Sequence, residues 1–225
     1  MSRPLSQLTY TRIQEQPSST RASLPTVITL HAHRQRGNSL AAYARAAAPD
    51  GRLLGLESYK GVFVGREIVG FTWFVGPDSA PAPVFYGDAL AEIERFLWDE
   101  IIRQEPEPAA LPFLLGLGQG AIMALAAAAA VPDLLSGVIA IGGTFPVVPG
   151  WEPPLVPLGD LPILLVDPPA AAPPSPGALA GPALADTLTR WGGTVTRRTA
   201  PPDEIPQAIM QQWMSLQTIR IKAQE

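Results

Sequence analysis

An apolar run, LPFLLG (111–116), leads into glycines at alternate positions, Gly116, Gly118 and Gly120, and then into an alanine-rich helical pattern. The spacing is that of a nucleophile elbow, a sharp strand-to-helix turn whose flanking positions must be small and whose central residue is held exposed on a strained backbone. With serine at the centre, such a turn presents an oxygen for attack on an acyl carbon. Here the centre is Gly118, so the scaffold lacks its nucleophile. Glycine accepts the positive φ of the turn at no steric cost, so the turn survives the loss of the hydroxyl.

Hydroxyl catalysis also needs a base to take the proton. The chain has two histidines, His31 and His33, both at the end of TVITLHAH (26–33). Alternation along a strand sends them to opposite faces, so they cannot share one metal, and no metal site is expected. His31 is read as a structural residue that shapes the loop beside the elbow, and His33 as a residue of the surface or the pocket rim. Ser39, Ser58, Ser136, Ser175 and Thr144 are hydroxyls that a displaced site could use, but none stands in an elbow. Asp167 closes a strand and could line the pocket. Asp203, shortly before Pro206, suits a helix cap. Trp73, Phe74, Phe85 and Trp151 fall in or near two long connections, where aromatics can wall an apolar cleft or pack beneath the loops.

The elements that position these residues alternate. Residues 1–24 form a polar N-terminal extension with one candidate edge strand, LTYTRI, and residues 25–225 read as a single domain. Strands are expected at 26–33, 52–58, 111–118, 134–143, 161–167 and 194–200. Helices are expected at 39–48, from a cap at Asp88 to about 104, at 119–130, at 177–192 and from Pro206 onward. The stretch 59–87 shows no clear periodicity, and 144–160 is a proline-rich connection. Alternating strands and helices call for a mostly parallel sheet with helices on both faces.

Composition narrows the function classes. A chain of 225 residues, 47% hydrophobic and 16% charged, can bury a substantial core. A net charge of −4 and the absence of a long basic run argue against nucleic acid or an anionic membrane as partner. Without cysteine there is no thiolate chemistry and no cysteine-bound metal. The first residues carry no signal-peptide pattern, and the longest apolar run is too short to span a bilayer, so a soluble, cytoplasmic protein is expected.

The chain resembles the small carboxylesterase/phospholipase branch of the α/β hydrolases. ITLHAHRQRGNSLAAYARAA is similar to that family's first core strand, loop and helix, FTWF (71–74) to its aromatic motif, FLLGLGQGAIMALAAAA to its elbow and LPILLVD to the strand before its acid loop. The resemblance spans about residues 26–221 and implies an α/β-hydrolase fold. It also implies that the three triad places are vacant: Gly118 for serine, Ala171 for aspartate and Asp203 for histidine. No histidine follows residue 33, so a triad in family order cannot form. By the same resemblance the amide of Gln119 and the loop after His31 form an oxyanion hole. The expected function is therefore non-catalytic, with His31, Ala32, Trp73, Gly118, Gln119 and Asp167 around a small apolar or carboxylate ligand and no cofactor. The rivals are an esterase with a displaced site and an interaction protein, for example a homodimer.

Overall fold

The computed structural model describes residues 6–14, 25–102 (backbone only at 100 and 102), 111–169, 178–201, 205, 210, 213 and 214. Ala171, Ser175 and Asp203 lie outside them, as does most of the segment read as the last helix.

The centre is a seven-stranded sheet. Its strands are β1 (Thr9–Gln14), β2 (Thr26–Leu30), β3 (Arg52–Glu57), β6 (Phe113–Leu117), β7 (Gly137–Ile141), β8 (Pro162–Asp167) and β9 (Thr194–Thr199), in the spatial order β1-β3-β2-β6-β7-β8-β9. The edge strand β1 runs antiparallel to β3, and every other pairing is parallel. The inner strands are apolar on both sides. Leu114, Val138 and Ile163 enter one core with Ile28, while Phe113, Leu115, Ile139 and Leu164 enter the other. This double burial is what a parallel sheet between two helical layers requires.

On one face lie α2 (Pro83–Phe96), α3 (Gln119–Ala130) and α4 (Gly181–Arg190). On the other lie α1 (Ala41–Ala47) and the helical residues Met210, Trp213 and Met214. Helix α3 is buried almost all round, and its alanines let it lie close to both the sheet and α2.

Several boundaries differ from expectation. Asp88 does not cap α2: the helix starts at Pro83, whose missing N–H and fixed φ suit a first turn, and Asp88 lies inside it. Leu97–Ile102 continues this helix as a wider, π-type turn. The strand expected over 26–33 ends at Leu30, and His31 and His33 lie in the turn that follows. The stretch 59–87 contains a hairpin, β4 (Gly61–Val64) and β5 (Glu67–Phe71).

Candidate functional site: an elbow without a nucleophile

Gly118 sits between β6 and α3 with φ 54° and ψ −117°, the conformation that the glycine spacing predicts for an elbow. Its N–H donates to the Ile141 carbonyl at 3.0 Å, and its own carbonyl accepts from Ile122 N–H at 3.1 Å. The turn is thus tied to β7 on one side and to the first turn of α3 on the other.

The flanking glycines are required by close approach. A Cβ on Gly116 would lie 2.3 Å from the Gly120 carbonyl oxygen, and one on Gly120 would lie 1.9 Å from that of Leu30. Gly118 differs, because the nearest atom to a Cβ there is the Ala32 Cβ at 3.5 Å, an ordinary contact. The site therefore has room for a side chain at the position that lacks one. Ala32 thus lies next to Gly118, and Gln119 follows it as the first residue of α3.

His31 is fully buried. Its Nδ1–H donates to the Ala32 carbonyl at 2.8 Å, and its Nε2 accepts from Ser58 N–H at 3.2 Å. Both nitrogens are engaged, and the tautomer follows from these partners. Burial above all holds the imidazole below its ordinary pKa of 6.5, so it is neutral at pH 7. Trp73 stacks on it with ring centroids 4.9 Å apart and donates its indole N–H to the His31 carbonyl at 2.8 Å. Trp73 is itself fully buried, and it holds His31 in place.

His33 is exposed, and its Nδ1 lies 3.1 Å from Thr72 Oγ1. The pair has the composition of a hydroxyl and a base. The Thr72 proton, however, is directed to the Phe74 carbonyl or to Gln119 Oε1, each 2.8 Å away. His33 then donates to Thr72 instead of accepting from it, the wrong polarity for activating a nucleophile.

The Gln119 side chain is buried. Its Oε1 also accepts from Trp73 N–H at 3.3 Å, and its Nε2 donates to Asp78 Oδ1 at 3.2 Å. As the first residue of α3, Gln119 has no intrahelical acceptor for its own N–H, which belongs to the positive end of the helix. The partner donor in the expected oxyanion hole, Ala32 N–H, instead donates to the side-chain oxygen of Gln35 at 3.2 Å. Sequence reasoning missed Gln35, Thr72 and Asp78, since no local pattern marks a polar side chain that reaches back to the elbow.

Asp167, the last residue of β8, is ion-paired with Arg197 of β9. Ser58 Oγ donates to the Thr72 carbonyl at 2.7 Å, and Ser39 Oγ donates to Gln35 Oε1 at 3.0 Å. Among the described residues no group of acidic, histidine or cysteine side chains could hold a metal ion. Nor does any described helix have the length and apolarity to cross a membrane.

The family model described as Phospholipase/Carboxylesterase matches residues 92–167, from within α2 through the elbow to the end of β8. The structure is similar to the carboxylesterase from Mesorhizobium loti at 21% identity, with 85% of this chain and 88% of that one covered and a TM-score of 0.71. It is similar to the carboxylesterase from Bacillus cereus at 13% identity, with 94% and 93% covered and a TM-score of 0.68. A phospholipase/carboxylesterase from Dyadobacter fermentans is 15% identical over 97% of each chain, with a TM-score of 0.62. No curated protein sequence matches the chain. The fold is the α/β-hydrolase fold, as the elbow and the strand order imply.

Proposed function

We propose that this chain is a carboxylesterase/phospholipase-like protein that no longer performs hydrolysis and uses its elbow to bind a small ester- or acid-like ligand. The carrying observation is the pairing of Gly118 with His31. The elbow has no nucleophile, and the nearby histidine has both nitrogens committed to backbone groups. The other histidine is turned as a donor towards Thr72, and the chain contains no third. With nucleophile and base both missing, the binding contribution of the elbow is what remains.

Two assays test this reading. The purified protein should not turn over p-nitrophenyl butyrate, yet should bind the non-hydrolysable ketone 2-heptanone. Ala32→Leu, which fills the space above Gly118, should abolish that binding. Turnover by the unaltered protein, or ketone binding that ignores Ala32→Leu, would contradict it.

A second reading is favoured by the hairpin. Phe63 and Val64 of β4 are 61% and 57% exposed, and Ile68 and Val69 of β5 are exposed beside them. A hairpin with exposed apolar side chains on both strands is a poor solvent-facing element, and it suits a contact between two copies of this chain.

A further inference from the structure

Two elements flank Gly118: the turn that follows β2 and the first turn of α3. Ala32, on the first, is the nearest neighbour of a Cβ at Gly118, at 3.5 Å, and Gln119 opens the second. On the sheet side their spacing is fixed by backbone. Leu30 pairs with Gly116 in the β2–β6 ladder, and the Leu30 carbonyl rests against Gly120. Past the strand ends a side chain spans the two elements.

That side chain is Thr72. Its Oγ1 lies 3.1 Å from Nδ1 of His33, one residue beyond Ala32, and 2.8 Å from Oε1 of Gln119, one residue beyond Gly118. Thr72 and Gln119 are both buried. Thr72 is also held from behind. Its N–H donates to the Lys60 carbonyl at 2.9 Å, and its carbonyl accepts from Ser58 Oγ at 2.7 Å. An anchored backbone therefore presents the hydroxyl.

The hydrogen bonds run in one direction. Gln119 Oε1 accepts from Trp73 N–H at 3.3 Å, and Gln119 Nε2 donates to Asp78 Oδ1 at 3.2 Å. Turning this amide over would set N–H against N–H and oxygen against carboxylate, so its oxygen faces Thr72 as an acceptor. The Phe74 carbonyl, also 2.8 Å away, competes for the one hydroxyl proton. Donation to a carboxylate polarises the Gln119 amide and makes its oxygen the stronger acceptor. With its proton given to Gln119, Thr72 keeps a lone pair for the N–H of His33. The chain from His33 through Thr72 to Gln119 thus crosses from one flank of the elbow to the other.

We propose that Thr72 is a positioning residue of the elbow: its hydroxyl ties the turn after β2 to the first turn of α3 and so sets the width of the space over Gly118. This rests on the binding reading above and names the residue that shapes the site. Thr72 acts through His33 and Gln119 rather than by touching the ligand.

The chain contains no cysteine, so Gly118→Cys places a single thiol at the centre of the elbow. Its rate of alkylation by iodoacetamide at fixed pH reports access to that space, with or without a ligand. Thr72→Val removes the hydroxyl and keeps the shape, whereas Thr72→Ser keeps the hydroxyl. In the Gly118→Cys background, Thr72→Val should react about fivefold faster, the opening expected from one lost neutral hydrogen bond. Thr72→Ser should react at the rate of Gly118→Cys alone. With Gly118 retained, calorimetric titration with 2-heptanone should show affinity lowered about fivefold in Thr72→Val and held in Thr72→Ser.

A threonine that serves stability alone would lower the urea midpoint of Thr72→Val and leave its alkylation rate unmoved, and that result would overturn the proposal. Equal rates in Thr72→Val and Thr72→Ser would overturn it too, as would the expected rates with unchanged ketone affinity. The expected rates in a protein that never binds 2-heptanone would keep the tie and remove the binding reading. Should Gly118→Cys fail to fold, the ¹H–¹⁵N signals of the Ala32 and Gln119 amides take its place. They should move in Thr72→Val and stay in Thr72→Ser, and signals unmoved in Thr72→Val would overturn the tie.

Discussion

The side-chain oxygen of Gln35 accepts a hydrogen bond from the backbone N–H of Ala32 at 3.2 Å, directly over the Gly118 turn. The amide that would polarise a carbonyl is thus occupied by the protein's own carbonyl group. Removing it should favour a ligand. Gln35→Ala is expected to tighten 2-heptanone binding about fivefold, the effect of roughly 1 kcal/mol for one neutral hydrogen bond. Calorimetric titration checks this, and unchanged affinity would mean that the Ala32 amide takes no part in binding.

Alanine should cost the two kinds of elbow glycine different amounts of stability. Gly120→Ala places a methyl group 1.9 Å from the Leu30 carbonyl oxygen and must push α3 off β2. A loss of about 3 kcal/mol or more in urea denaturation is expected, at or beyond the upper range for overpacking. Gly118→Ala has room, and it carries only the strain of a sparsely populated positive-φ conformation, about 1–3 kcal/mol. Equal losses would show that the close approach of α3 to β2 is not what fixes these glycines.

His31 should impose a pH dependence on stability. Burial lowers its folded pKa below the ordinary 6.5, so the unfolded chain binds the proton first as pH falls. The contribution is fully present above pH 6.5 and is lost progressively as pH drops below that value towards the folded pKa. Thermal midpoints at pH 7.5 and 5.0 should therefore differ more in the unaltered protein than in His31→Gln. An equal difference in both would assign the acid sensitivity to carboxylates.

The hairpin predicts an association. Light scattering on the unaltered protein at micromolar concentration should give a dimer mass. Phe63→Ser with Ile68→Ser should give a monomer of unchanged melting temperature, because both residues are exposed. A monomeric unaltered protein would remove the dimer reading.

The fold was legible because its signals are local and redundant. Each buried strand is a β-branched or leucine-rich run, and the glycine triplet marks the turn at which strand passes to helix. The hairpin β4–β5 escaped because its glycines, Gly61, Gly65 and Gly70, interrupt the alternation and its strands carry apolar residues at consecutive positions, Val62 to Val64 and Ile68 to Val69. The start of α2 escaped because Asp88 looks like a cap, whereas Pro83 holds the first turn. At the site, the glycine spacing marked the turn at Gly118, and the family resemblance pointed to Gln119 and the loop after His31 beside it. The sequence could not show that Gln35 fills the Ala32 amide, or that Trp73 is spent on holding His31. Those facts depend on side-chain direction across elements, and no periodicity encodes it.

The account's central claim is that the elbow binds without turning over. It is tested most directly by ester hydrolysis with three proteins: the unaltered chain, Gly118→Ser and Gly118→Ala. All three should hydrolyse p-nitrophenyl butyrate at the same background rate, because a serine restored at 118 has no histidine placed to take its proton. Hydrolysis by Gly118→Ser well above Gly118→Ala would reveal a base unaccounted for here. Turnover by the unaltered chain would show that the protein is an enzyme after all.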